Sequence, residues 1–125
     1  MRTIYALSLL LVFSASLNIR AAEAERMAKQ FLKTHCIHCH GEKKQKGKLV
    51  LHEVSFDFTK TETSAMWLEI LEQLTAGDMP PPDEKEQPSQ AERNVVIEWI
   101  DRQLLTTGSG DAYRKKLLMP EYGNW

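Results

Sequence analysis

The sequence has few of the features that mark enzymes and nucleic-acid-binding proteins. Only two cysteines occur in 125 residues, so any paired-thiol chemistry depends on that one pair. The formal net charge of -1 gives no overall attraction toward nucleic acid. Phosphate-binding glycine loops, GxSxG and HExxH motifs and internal repeats are absent, so no catalytic residues are predicted. A chain of this length is enough for one compact domain.

No apolar run in the sequence is long enough for a membrane-spanning helix, which needs about 20 residues. The longest, Ile4–Leu17, follows Arg2 and is interrupted by serines. Together with the small-residue cleavage pattern at positions 22–24, it predicts a signal peptide over residues 1–24. A retained N-terminal anchor is the alternative. We therefore expect an exported protein of the bacterial periplasm, with no further membrane contact.

Both cysteines stand in the pentapeptide Cys36-Ile37-His38-Cys39-His40, whose C-x-x-C-H spacing is typical of c-type haem attachment. On a helical turn, Cys36, Cys39 and His40 project from one face. The thiols would then hold the edge of a flat macrocycle while the imidazole reaches its iron. Two alternatives stay open here. A structural zinc site would need a second ligand pair, and a thioredoxin-like dithiol would need a preceding strand.

Apolar periodicity predicts three main helices and an all-α domain. The first helix runs over residues 25–34 and leads directly into the cysteine motif. Residues 49–58 alternate apolar and polar side chains, as a strand would, but a small helical domain can also use such a segment as an irregular loop. We expect the loop.

Two capping boxes predict where the other helices begin. Thr59 with Glu62 precedes the second helix, and Gly77 stops its apolar pattern where a C-terminal glycine is expected. Ser89 with Glu92 precedes the third helix. These punctuating residues place a short proline-rich connection between the two helices.

Met79 lies in that connection, immediately before three prolines that fix an extended backbone. A haem that carries electrons needs a second axial ligand besides His40, and methionine paired with histidine raises the reduction potential. Met79 is the candidate, because a stiff loop has less conformational freedom to lose when it binds. His52 is the alternative ligand.

Two groups of side chains near the motif are expected to face solvent. His35 and His38 flank the cysteines. The loop over residues 41–48 carries four lysines, which we interpret as a solvated loop. The alternative is a charged patch that docks an acidic redox partner.

Three segments resemble a small class I cytochrome c, and in particular the cytochrome domain that heads large exported multidomain proteins of planctomycete-type bacteria. They are Cys36–Gly41, Lys46–Leu51 and Gly77–Pro81. The resemblance covers residues 25–107. Residues 108–125 are left as a linker and tail, which fold back on the domain or lead into a region that this chain does not contain.

This resemblance implies a class I cytochrome c fold, with three main helices around one covalently bound haem c. Cys36 and Cys39 would carry the thioether bonds, installed by cytochrome c maturation machinery, and His40 and Met79 would bind the iron. Many class I cytochromes orient the proximal imidazole with a proline carbonyl soon after the haem motif. No proline precedes Pro80 here, which leaves that acceptor unassigned.

The function that the resemblance implies is one-electron transfer with a redox partner protein, without catalysis. The alternative is an electron-feeding or sensory haem domain of a larger exported enzyme. A sensor would need an open position on the iron, whereas an electron carrier would have both axial positions filled.

Overall fold

The computed structural model describes residues 20–107 as four helices joined by loops. In chain order they are α1 at residues 20–35, α2 at Ile37–His40, α3 at Thr61–Ala76 and α4 at Gln90–Thr106. No strand occurs in this range, so the predicted all-α fold is confirmed. The predicted signal peptide, apart from residues 20–24, and the predicted tail at 108–125 lie outside the described residues.

Helix α1 includes the predicted segment 25–34 and extends it at both ends. Its buried face carries Ala28, Phe31 and Leu32. Beside this face, Lys29 lies over the ring of Phe56, with Nζ 4.7 Å from the ring centroid. This contact ties α1 to the loop before α3. None of the helices between residues 20 and 107 is long and apolar enough to span a membrane.

An aromatic cluster joins α3, α4 and the loop between α2 and α3. Trp67 of α3 and Trp99 of α4 meet edge to face with ring centroids 5.1 Å apart, and the rings of Phe56 and Phe58 pack against both. Such pairs contribute about 0.5–1.5 kcal/mol each beyond the area that they bury. The cluster therefore fixes how α3 and α4 lie against each other.

The segment over residues 49–58 is a loop, as predicted. Over residues 54–58 the side chains alternate: Val54, Phe56 and Phe58 belong to the core or pack against it, whereas the residues between them are exposed. In the described part of the chain no strand pairs with this segment, so it is not part of a β-sheet. Apolar periodicity alone does not distinguish a β-strand from an irregular loop of this kind.

The predicted capping box of Thr59 and Glu62 is wrong. Helix α3 begins at Thr61, and its N-cap Lys60 makes no side-chain cap hydrogen bond. The Thr59 hydroxyl instead donates to Asp57 Oδ1 at 2.5 Å, and the Thr59 backbone N–H donates to the same oxygen at 3.2 Å. Asp57 thus draws Thr59 into a local turn, as aspartate often does before a helix.

The other two predicted helix boundaries are confirmed. Gly77 adopts a left-handed conformation, with φ 78°, at the C-cap of α3. Ser89 caps α4 by accepting a hydrogen bond from the Glu92 backbone N–H at 3.2 Å, and the Glu92 carboxylate accepts from the Ser89 N–H at 2.9 Å. The connection that carries Met79 is therefore held between two well-defined helix ends.

The two buried tryptophans differ in their hydrogen bonding, which predicts different costs of replacement. Trp67 Nε1–H donates to the Ser55 carbonyl at 2.9 Å, whereas Trp99 Nε1 is buried without a partner. We expect Trp67→Phe to lower the free energy of unfolding by about 1 kcal/mol more than Trp99→Phe, because only the first change removes a hydrogen bond. Urea unfolding measures the difference, and equal losses would contradict the assignment.

Candidate cofactor site

A cavity of about 570 Å³ lies between the cysteine motif and the Met79 connection. Its volume falls within the range of about 300–1,000 Å³ that is usual for ligand and cofactor sites. The lining is mainly apolar, which suits a flat, hydrophobic prosthetic group. Its apolar residues outside the motif are Leu49, Leu51, Ile70, Leu74, Pro80 and Pro81, together with Met79.

One wall of the cavity is the cysteine motif, which lies on a helical turn as expected. Cys36 accepts hydrogen bonds through its backbone carbonyl from the N–H groups of Cys39, at 3.1 Å, and His40, at 2.9 Å. All three side chains line the cavity. The His40 carbonyl also accepts from the Leu51 N–H at 2.7 Å. Both backbone groups of His40 are therefore fixed, one by the helical turn and the other by the following loop.

The imidazole of His40 has one ring nitrogen in each of two environments. Nδ1 is buried and has no hydrogen-bond partner, whereas Nε2 is not among the buried unpaired atoms of the described residues, and His40 as a whole lines the cavity. The unpaired Nδ1 agrees with the missing proline carbonyl noted in the sequence. A buried polar atom without a partner costs free energy, so the orientation of this ring is not set by a hydrogen bond of Nδ1.

Gly41 follows His40 and is buried against the turn that carries the motif. A Cβ atom at this position would press on the Ile37 carbonyl oxygen and lie 2.8 Å from Ile37 Cγ2. The backbone conformation itself, with φ -116°, is open to any residue. Glycine is therefore required here because the chain passes too close to Ile37 for a side chain.

Met79 lies on the same cavity as His40, 39 residues further along the chain. Its backbone N–H donates to the Gln73 carbonyl at 3.4 Å, and its carbonyl accepts from Arg93 Nη1 at 2.6 Å. Pro80, which follows it, is buried. The structure thus brings the two predicted axial ligands to one cavity and fixes the backbone of each through both its N–H and its carbonyl.

Arg93 is the main site residue that sequence reasoning missed. It stands in the first turn of α4, where a cation opposes the helix dipole at a cost of about 0.3–1 kcal/mol. This unfavourable position in the helix is the sequence feature that indicates a contact of Arg93 outside α4. The side chain resolves it by reaching across to the carbonyl oxygens of Leu74 and Met79.

The Cys36 thiol does not have the environment of a reactive, redox-active cysteine. Cys36 and Cys39 are both free, and burial raises the pKa of the Cys36 thiol to about 12, although the nearby charge of Arg93 opposes that rise. Reactive cysteines have lowered pKa values, because the thiolate is the nucleophile. Between residues 20 and 107 no group of three or more His, Cys, Asp or Glu side chains is placed to hold a metal ion, which counts against the zinc alternative.

The other histidines differ from one another in burial, and only His38 is placed as predicted. His38 is exposed, as expected, but His35 is half-buried with its Nδ1 enclosed and unpaired, and its ring lies 5.0 Å from that of Phe31. The expectation that His35 faces solvent is wrong, because α1 continues to residue 35 and carries the ring toward its buried face. His52 is exposed beside Glu53 and is not among the residues that line the cavity.

The residues that line the cavity include exposed charges of both signs, from different segments of the chain. Lys46 and Lys48 lie on the side of the cysteine motif, within a 3-10 turn in which Lys48 has φ 60°. Four glutamates lie on the side of α3 and the Met79 connection: Glu69, Glu72, Glu84 and Glu86. All four lysines of the predicted loop are exposed, and two of them, Lys46 and Lys48, line the cavity.

The fold and the cavity together define a class of protein. A C-x-x-C-H helical turn faces a methionine loop across an apolar cavity in an all-α fold, which is the arrangement of a cytochrome c domain. Residues 36–83 match the family model described as Planctomycete cytochrome C. The match confirms the family predicted from the sequence. It is shorter than the predicted span of 25–107, and it contains both the motif and Met79.

The family match carries a general functional statement. A cytochrome c domain indicates haem as the cofactor and haem-based electron transfer as the activity. No curated protein and no solved structure matches this chain. The ligand set and the specific role therefore rest on the residues themselves.

The close approach at Gly41 predicts a severe effect of a single methyl group. We expect Gly41→Ala to cost about 1–3 kcal/mol of stability, because the turn must shift to relieve the contact with Ile37, and to reduce the yield of haem-loaded protein. Gly47→Ala is the matched control, since its Cβ meets nothing within 4 Å and adds only the strain of a positive φ. Haem content per polypeptide, measured by absorbance, compares the two. Equal losses in both variants would contradict this role of Gly41.

Proposed function

We propose that this domain is a one-electron carrier in which one haem is held by Cys36 and Cys39 through thioether bonds and by His40 and Met79 through its iron. The observation that carries the proposal is the shared cavity. A nitrogen ligand and a sulfur ligand, far apart in the chain, line one apolar space beside two free thiols. Histidine with methionine is the axial pair that raises the potential of a c-type haem.

The chain supplies ligands, a dry environment and rigidity. When bound, the haem supplies an iron that alternates between the ferrous and ferric states. The leucines and prolines give the cavity a mainly apolar lining, which disfavours water at the site. The backbone tethers of His40 and Met79 limit how far either ligand can move, so little rearrangement accompanies the gain or loss of one electron.

Filled axial positions favour a carrier over a sensor. A sensory haem needs a position that a gas or small ligand can occupy, and Met79 stands at the cavity where such a position would be. His52, the alternative ligand, lies outside the residues that line this cavity. We therefore assign no substrate to the iron and no catalytic residue to this domain.

The electron would come from a reduced donor protein and pass to an oxidised acceptor protein. The acceptor is a separate redox protein, or a catalytic region of a larger exported polypeptide in which this domain feeds electrons. Both versions use the same haem edge and the same ligands. Covalent attachment by cytochrome c maturation machinery, together with the predicted signal peptide, favours the periplasm as the site of action.

Covalent attachment is tested by a denaturing gel stained for haem. Wild-type protein co-expressed with a cytochrome c maturation system should retain haem after boiling in detergent, because thioether bonds survive denaturation. Single Cys36→Ala and Cys39→Ala variants should each keep one bond and less haem, and the double variant should keep none. Wild-type protein that loses its haem on boiling would refute covalent attachment.

Ligation by Met79 is tested by the sulfur-to-iron charge-transfer band of the ferric protein. Met79→Ala should abolish the band and allow carbon monoxide to bind rapidly to the reduced protein, because the sixth position on the iron is then open.

Two variants serve as controls for that measurement. Met66→Ala removes a half-buried methionine of α3 that packs against the core, and His52→Ala removes the alternative ligand. Both should keep the band. Loss of the band in Met66→Ala, with retention in Met79→Ala, would assign the sulfur ligand to Met66. A wild-type protein without the band, whose haem spectrum changes in His52→Ala, would assign the ligand to His52.

A further inference from the structure

The Met79 connection is tied to α4 by one side chain. Arg93 Nη1 donates to the Met79 carbonyl at 2.6 Å and to the Leu74 carbonyl at 3.3 Å. Leu74 lies in the last turn of α3 and Met79 lies just beyond the Gly77 cap. One guanidinium therefore spans the point where the chain leaves α3 and turns into the cavity.

The contact with Met79 is the shortest of the hydrogen bonds that hold this turn. The Gln73 carbonyl accepts from the N–H of Asp78 at 3.1 Å and from that of Met79 at 3.4 Å, both longer than the 2.6 Å bond from Arg93. Hydrogen bonds from a charged donor are also about twice as strong as those between neutral groups. Arg93 is therefore the dominant restraint on the backbone of Met79.

The base of Arg93 is itself rigid. Its backbone N–H donates to the Ser89 carbonyl at 3.0 Å, directly after the capping box of Ser89 and Glu92. Arg93 is therefore bonded to the Met79 connection from a helix end that is itself fixed.

We propose that Arg93 is a positioning residue that holds the Met79 carbonyl and thereby keeps the methionine sulfur on the iron against competing ligands. The inference rests on the proposed His40 and Met79 ligation. It gives α4, which lies outside the matched segment 36–83, a role in positioning an iron ligand. Without this bond, the connection would open more often and an external ligand would compete with Met79 more effectively.

The test is a titration of the ferric, haem-loaded protein with imidazole. Displacement of Met79 is measured as the loss of the sulfur-to-iron band. Arg93→Met keeps the apolar stem and removes every donor. It should bind imidazole about tenfold or more tightly than wild type, which is the effect of losing a charge-assisted hydrogen bond. Arg93→Lys keeps one charged donor and should fall between the two.

Two control variants separate this role from general stability. Arg102→Met removes an exposed arginine further along α4, and Val96→Ala destabilises the same helix from within the core. Both should bind imidazole as wild type does, although Val96→Ala melts earlier. The inference is overturned if Arg93→Met resists imidazole as wild type does, or if Val96→Ala gains the same affinity.

The failure of the underlying ligation would look different. In that case wild-type protein would already bind imidazole as tightly as Met79→Ala does, and it would show no sulfur-to-iron band. Such a result would overturn the assignment of Met79, and the role of Arg93 with it. If the wild-type protein shows the band and binds imidazole more weakly than Met79→Ala does, the Met79 ligation stands, and the Arg93 variants then test the positioning role alone.

Discussion

Backbone tethering of two distant residues is the constraint on which this site depends. His40 and Met79 each have the main-chain N–H and the main-chain carbonyl hydrogen-bonded, and they meet at one cavity although 39 residues separate them. A ligand held only by its side chain would lose more conformational freedom on binding. Here the fold has already restricted that freedom at both residues.

The rest of the domain keeps these tethers in register. The Trp67 and Trp99 rings fix α3 against α4, and α4 in turn carries Arg93 to the end of α3. On the other wall, the turn after the motif closes because Gly41 has no side chain to hold it away from Ile37. The aromatic cluster lies outside the cavity lining and acts on the site only through the helices that it joins.

Much of this arrangement was predictable because local chemistry marks it. The C-x-x-C-H spacing, the glycine at the end of α3 and the capping box at Ser89 each depend on residues a few positions apart, and each is found where it was predicted. The proline-stiffened loop also identified Met79 as a residue that would face the same cavity as His40.

The errors and omissions arise where distant or competing contacts decide. Thr59 failed as a cap because Asp57, two residues earlier, took its hydroxyl. The role of Arg93 depends on a bond across 14 positions of the chain, which no periodic pattern encodes. His35 was misplaced for a similar reason, since its burial depends on the length of α1 and on Phe31. Unfavourable local choices, such as a cation in the first turn of a helix, are the sequence feature that points to contacts of this kind.

The central claim is that His40 and Met79 bind the same iron. Iron X-ray absorption spectroscopy of the haem-loaded wild-type protein tests it most directly, because sulfur and nitrogen neighbours scatter differently. The account predicts a single sulfur neighbour in addition to the ring and imidazole nitrogens, and its loss in Met79→Ala. An iron surrounded only by nitrogen or oxygen in the wild-type protein would contradict the account.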